Sequence, residues 1–329
     1  MIRKMDNPLV TVCLFAYNQE CFIREAVEAA LVQTYSPLEI IISDDCSTDT
    51  TFDIIQEITS HYKGVHALSV NRNVRNMGFV AHVNHVVALA NGELIVMMAG
   101  DDISLPHQVD VFVAEWRNVH KKALVMYSSM TEIDERGKEY GFVKKYGATG
   151  FDNRTLLRRL NRPNYCGASA AYVTSYIKGV PLPQGCVEDL FYHYYLNLLA
   201  PSLFIKESLV KYRIHGKSMS TVIGHDFVFK DKRKVGWTIA ALEFLLTNRH
   251  LWREFNHSEQ TERIIKLFEI HLGNAKIKQR LLKSWIGRTV EHYRGVKQSG
   301  SSKIVCQCCR LLYRSLYALV KLRVPFVDA

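Results

Sequence analysis

Apolar residues along the first half of the chain fall into two alternating rhythms. Short unbroken runs rich in β-branched residues have the length of buried strands, and between them apolar side chains return every three or four residues, as on one helix face. Val10 to Phe15 is the first run, and Ile23, Ala26, Val27, Ala30, Leu31 and Thr34 follow at helical spacing until Pro37. Leu38 to Ser43 is the second run; Phe52, Ile55 and Ile58 mark the next helix, which Ser47 or Asp49 can cap. His66 to Val70 is a weaker strand, Val80, Val83, Val87 and Ala90 a further helix ended by Asn91-Gly92, and Glu93 to Met98 a fourth strand. Pro106 opens another helix, and Ala123 to Tyr127 is a fifth strand. Uniformly apolar strands alternating with helices predict a mostly parallel sheet covered on both faces. In such sheets ligands bind beyond the carboxyl ends of the strands. Those ends here carry Tyr17-Asn18, Asp44-Asp45 and Asp101-Asp102, three polar clusters on one sheet edge.

Composition adds a boundary. The chain has 329 residues, 48% hydrophobic and 22% charged, as in an ordinary globular protein, and no uncharged apolar run of membrane-spanning length. Met1 to Pro8 lacks the apolar segment of a signal peptide, so a cytoplasmic location is expected, and with it a reducing environment for the eight scattered cysteines. Charge is unevenly placed: 20 of the 42 lysines and arginines but 9 of the 32 acidic residues lie after residue 225, leaving +11 there against −1 in the body. Two further helical patterns occupy that region, around Val235–Leu246 and Ile264–Leu272, then a linker from Gly295 to Ser302. In the last segment Val305, Cys308, Leu312, Leu316 and Leu319 oppose Arg310, Arg314 and Lys321. Such a basic amphipathic helix suits either an anionic membrane surface at the inner face of the cell membrane or packing on the domain before it. No nucleic-acid module is visible, so no nucleic-acid partner is expected. The cluster Cys306-Gln307-Cys308-Cys309 lacks the spacing of a zinc site.

Several chemistries are excluded at the sheet edge. No GxGxxG follows the first strand and no GxxxxGK[ST] occurs, so neither a dinucleotide fingerprint nor a phosphate-binding P-loop is present. Carboxylate pairs suit a hard divalent cation bridging to substrate phosphates. Asp is also a favoured helix cap, but two such pairs at equivalent positions are poorly explained by capping alone.

The ordered segments Val10-Thr11-Val12, Ala16-Tyr17-Asn18-Gln19-Glu20, Gln33-Thr34-Tyr35, Ser43-Asp44-Asp45-Cys46-Ser47-Thr48-Asp49, Asn76-Met77-Gly78-Phe79 and Asn91-Gly92-Glu93 resemble the nucleotide-binding half of family-2 glycosyltransferases of the GT-A fold. The resemblance continues through Ala99-Gly100-Asp101-Asp102-Ile103, Val187-Glu188-Asp189-Leu190 and Tyr212-Arg213-Ile214-His215-Gly216-Lys217-Ser218-Met219-Ser220. It implies a Rossmann-like α/β domain over residues 1–224, with a nucleotide-binding half at about 8–128 and an acceptor-binding half at about 129–224. Residues 225–329 then form a basic, mainly helical extension.

That resemblance also implies the chemistry. An inverting enzyme would move a sugar from a nucleotide-diphosphate sugar to an acceptor hydroxyl, in bacterial surface polysaccharide or lipid-linked glycan synthesis. Ala16, Tyr17 and Asn18 would line the base and ribose pocket, with Asp44 and Asp45 on the nucleobase and Arg75 and Gly78 toward the ribose and diphosphate. Asp101, Asp102 and His215 would hold Mn²⁺ or Mg²⁺ against the diphosphate, the division between the two aspartates staying open. Asp189 would be the base that activates the acceptor, with Glu188 as the alternative; acids in a first helical turn also favour the dipole. The family's metal motif usually begins with an Asp where Ala99 stands. A binding protein that keeps the fold without the chemistry is therefore the alternative, against which Asp101, Asp102, Asp189 and His215 stand. A nucleotidyltransferase would need a basic, glycine-rich loop after the first strand, and a processive synthase a Gln-x-x-Arg-Trp segment; neither occurs. His82, His85 and His193 receive no role.

Overall fold

The computed structural model describes residues 7–144, 166–216 and 227–251, with scattered helical residues between 262 and 280. Lys217 to Ser220, the linker at 295–302 and the basic segment after it, with Cys306, Cys308 and Cys309, lie outside the described residues. The first half alternates as the periodicity predicts: β1 (Val10–Ala16), α1 (Ile23–Leu31), β2 (Leu38–Asp44), α2 (Thr51–Ser60), β3 (Ala67–Arg72), α3 (Phe79–Leu89) and β4 (Leu94–Ala99). Then come β5 (Ile103–Ser104), α4 (Gln108–Asn118), β6 (Val125–Ile133), β7 (Glu139–Lys144), β8 (Ala170–Val173), α5 (Thr174–Gly179), α6 (Glu188–Leu199), β9 (Leu203–Arg213) and α7 (Phe227–Thr247).

The nine strands among the described residues join one sheet in the order β3-β2-β1-β4-β8-β6-β9-β5, with β7 paired to β6. The first four strands are mutually parallel, Val10 lying opposite both Leu38 and Leu94. The second half is mixed: β8 runs antiparallel between β4 and β6, β9 returns parallel to β6, and β5 closes the edge antiparallel to β9. The result is an α/β mixed sheet flanked by helices.

Strand alternation divides the interior into two cores. Val10, Val12 and Leu14, with Ile40, Ile42, Leu94 and Val96, pack against α1 and α4 on one face. Cys13, Ile41, Ile95 and Met97 face α3 and α6 on the other. Helix α6 is buried at every position from Leu190 to Leu198, so it forms an inner layer that must itself be covered. Helix α7 covers it through Ala241, Leu242 and Leu245, with the Phe244 ring edge-on to Phe191 at 5.3 Å. Each large apolar side chain so buried contributes about 1.5–3 kcal/mol. Both layers hold β1, β2 and β4 in register, so their carboxyl ends open onto one edge.

Candidate active site

The loops after β1 and β2 are built as one unit. Asp44 accepts the Ser47 backbone N–H at 2.9 Å and the Ser47 hydroxyl, and the Arg72 Nε lies 3.6 Å from its Oδ2. Its carboxylate is therefore spent on folding the loop. Across the gap, the Asn18 backbone N–H donates to Ser47 Oγ at 2.9 Å and its Oδ1 accepts the Thr48 N–H at 2.8 Å. The Asp45 N–H donates to the Ala16 carbonyl at 2.9 Å. Tyr17, 44% exposed, stands at the rim of this unit, as does Met77.

Asp45 has a different task. Its Oδ1 accepts the Asn73 side-chain amide at 2.7 Å and the Met77 N–H at 2.8 Å, and its Oδ2 accepts the Gly78 N–H at 3.0 Å. A carboxylate offers about four lone-pair sites, so about one remains, on Oδ2. Gly78 occupies φ +77°, where a side chain would be strained, and from there begins α3. Arg75 lies exposed on the same loop.

The β4 end is organised by a residue to which sequence reasoning gave no role. Arg213 closes β9 and is 1% exposed. Its backbone N–H donates to Asp102 Oδ1 at 2.8 Å, its Nε to the Asp101 carbonyl at 2.9 Å, and its Nη1 to the carbonyls of Asp134 and Glu135 at 3.2 and 3.0 Å. Nη2 pairs with Glu25 at 3.0 Å, and the guanidinium lies 5.0 Å above the Phe22 ring. Two residues on, His215 Nε2 meets Asp101 Oδ2 at 2.9 Å, its ring packed 4.5 Å from Phe22. Burial first, and then the charge of Asp101, push the Asp102 carboxyl well above the usual range. Asp101 and His215 thus face each other, while Asp102 turns to the backbone of β9.

Glu188 and Asp189 open α6. Burial, and secondarily Asp189, push the Glu188 carboxyl up to about 8. Gly167 makes room for it, since a Cβ there would overlap Glu188 Oε1. The neighbouring Cys166 thiol is raised by burial first and then by Asp189, Asp102 and Glu188. Glu188 and Asp189 thus both approach the backbone at Gly167, next to Cys166.

Among the described residues no group of three or more His, Cys, Asp or Glu is close enough to hold a metal ion. The Asp101–His215 pair still fits a divalent cation: one carboxylate oxygen and one imidazole nitrogen are held within reach of each other, and phosphate oxygens and water ordinarily complete such a shell. The nitrogen suits Mn²⁺ better than Mg²⁺. His215 also lines an open cleft of about 410 Å³ with Asp134, Glu135, Arg136, Tyr140, Ile214 and Gly216. Among the described residues no helix is long and apolar enough to cross a membrane.

Comparison with known proteins bears on the family and the fold. An uncharacterized glycosyltransferase of Haemophilus influenzae is 29% identical over 245 residues, covering 68% of this chain and 71% of the relative. Two solved structures share the fold at low identity. The mannosyltransferase PcManGT from Pyrobaculum calidifontis, in complex with GDP-Man and Mn²⁺, has a TM-score of 0.57 at 13% identity over 97% of this chain and 83% of its own. TarS residues 1–349 of S. aureus, in complex with UDP-GlcNAc, has a TM-score of 0.52 at 18% identity over 86% and 91%. The profile described as glycosyl transferase family 2 matches residues 11–180, more than half of the chain. This protein belongs to glycosyl transferase family 2.

Proposed function

We propose that this chain transfers a sugar, with inversion, from a nucleoside diphosphate sugar to a hydroxyl of a glycan or lipid-linked acceptor. One observation carries the proposal: the Asp101–His215 pair after β4 lies on the same sheet edge as Asp45 after β2. Asp45 keeps a lone pair for a nucleobase N–H, and Tyr17 offers an aromatic face at the rim of that pocket. Asp44 acts through Ser47 by shaping the loop, with Ala16 and Asn18 fixing its approach to β1. Arg75 and Gly78 lie on the loop that Asp45 holds, toward the ribose and diphosphate.

Asp101 and His215 would hold Mn²⁺ or Mg²⁺, with Asp102 anchoring the turn that presents them. The cation would neutralise charge gathering on the nucleoside diphosphate as it leaves. Asp189 takes the proton of the acceptor hydroxyl, and the hydroxyl oxygen attacks the anomeric carbon from the side opposite the leaving diphosphate. One such displacement inverts the configuration. Glu188, raised to about 8, holds a proton near neutrality, so the adjacent pair presents one negative charge rather than two. We take the catalytic unit as residues 1–224 and the basic region 225–329 as its extension, whose excess of positive charge suits an anionic surface at the inner face of a membrane.

Thermal unfolding with UDP, GDP, CDP and dTDP, with and without Mn²⁺ or Mg²⁺, tests the reading. Binding at about 100 times the dissociation constant adds roughly 2.7 kcal/mol to folding. A metal-dependent rise with one nucleotide, lost in Asp101→Ala, is the expected result. No response to any of the four would instead favour a protein that keeps the fold without the chemistry.

A further inference from the structure

Behind Asp45 lies a file of polar side chains that the chemistry above leaves unused. His82 on α3 is 5% exposed, its ring edge-on to Phe15, with Nε2 2.7 Å from Ser43 Oγ. Asn71 Nδ2 donates to the same Ser43 Oγ at 2.9 Å and to Asn73 Oδ1 at 3.0 Å. Asn73 Nδ2 then donates to Asp45 Oδ1 at 2.7 Å. Five side chains from β2, β3, α3 and the loops after β2 and β3 are thereby joined.

The carboxylate sets the direction of the file. An ionised carboxylate only accepts, so Asn73 must give its amide protons to Asp45 and receive at its carbonyl from Asn71. Asn71 spends its other amide proton on Ser43. The Ser43 hydroxyl, with one lone pair taken by Asn71, joins His82 Nε2 by a hydrogen bond in which it donates to the ring when the imidazole proton is on Nδ1 and accepts when that proton is on Nε2. Burial lowers the His82 pKa, against the opposing pull of Asp45 and Asp44, and so favours the neutral ring. Buried networks of this kind rigidify when every member is satisfied, and losing one member disturbs the rest.

We propose that His82 and Ser43 are positioning residues for nucleotide recognition, fixing through Asn71 and Asn73 the orientation of the Asp45 carboxylate and the lone pair it keeps for a nucleobase. This rests on the reading of Asp45 as the base-contacting carboxylate. Because Asp45 also accepts from Met77 and Gly78, the same file determines how firmly the loop before α3 is held.

The test combines amide hydrogen exchange on the unliganded protein with binding of UDP, GDP, CDP, dTDP and inorganic diphosphate in the presence of Mn²⁺. In His82→Phe and in Ser43→Ala, exchange at the Met77 and Gly78 amides should accelerate by about 5- to 10-fold, the equivalent of one lost buried hydrogen bond. The preferred nucleotide should weaken by a similar factor while inorganic diphosphate is held as before. His82→Gln, which restores an acceptor, should recover part of both. Unchanged exchange and unchanged nucleotide preference in folded His82→Phe and Ser43→Ala would overturn the proposal. So would an equal fall for nucleotide and diphosphate, which marks general loosening. Asp45→Asn separates the two readings. If it leaves the nucleotide-to-diphosphate ratio untouched, the base-contacting role falls and this proposal with it; if Asp45→Asn alone lowers the ratio, only the positioning role falls.

Discussion

Replacing Arg213 with Met would test how much of the site depends on one buried cation. Methionine keeps the length and apolar stem but removes four side-chain hydrogen bonds, to the carbonyls of Asp101, Asp134 and Glu135 and to Glu25. These do not count equally. Glu25 is half exposed and regains water, so its ion pair contributes little. Water beside the exposed Glu135 turn can replace the donor to the Asp134 and Glu135 carbonyls, and the Asp101 carbonyl loses a bond to a charged donor, about 1.5–3 kcal/mol. With the contact over Phe22 also gone, partly offset by no longer burying a charge, the expected loss is about 2–3 kcal/mol. For a protein of this size that lowers Tm by about 5 °C. Lysine should not rescue it, because a single ammonium cannot reach carbonyls that a planar fork spans. The Asp102 contact survives in both variants, being made by the Arg213 backbone N–H. The assay is thermal unfolding with and without Mn²⁺ and nucleotide. If Arg213→Lys unfolds within about 2 °C of the wild type and keeps its metal-dependent response, Arg213 does not organise the β4 end.

Asp189→Asn should abolish transfer while nucleotide affinity stays near the wild-type value; turnover at the original rate would remove it as base. His215→Ala should lose the metal-dependent part of the nucleotide-induced Tm rise, and a response equal to the wild type would place the cation elsewhere. Gly167→Ala should displace the flexible end of Glu188 rather than unfold the protein, because the overlapping atom is a carboxylate oxygen; transfer falls, Tm changes by only a few degrees, and a fully active variant would deny Glu188 a place beside the chemistry. Glu188 also carries a pH signature. Its folded pKa of about 8 lies above its ordinary carboxyl value, so the stability it contributes is fully present below that ordinary value and is lost as pH rises through 8. Glu188→Gln should therefore gain Tm relative to wild type at pH 9 compared with pH 5, measured by unfolding across that range; a difference independent of pH would contradict the raised carboxyl.

The parts of this protein that were legible in its sequence are those whose signal is local. Unbroken apolar runs and three-to-four spacing located β1, β2, β4 and the helices between them, and the same pattern placed Tyr17, Asp45 and Asp101 at strand ends on one edge. The antiparallel half was less accessible. Strand β8 is four residues long, too short for a period to register, and β9 alternates buried and half-exposed positions irregularly because it serves β6 on one side and β5 on the other. Arg213 sits within a recognisable segment yet shows no task there, since its partners are mostly backbone carbonyls and its one side-chain carboxylate partner lies 188 residues away. Nothing in a sequence marks a carbonyl as needing a donor. The division of labour between the paired aspartates was hidden for the same reason: Asp44 and Asp45 are adjacent and identical, but the pleat sends one back into its own turn and the other across to the loop before α3. At the second pair, Asp101 meets His215 and Asp102 meets the β9 backbone. In both pairs the two neighbouring carboxylates are committed to different partners, a distinction set by the backbone and not by residue type. It follows that replacing either member of a pair can silence the protein, and that only binding measured apart from stability separates the two causes.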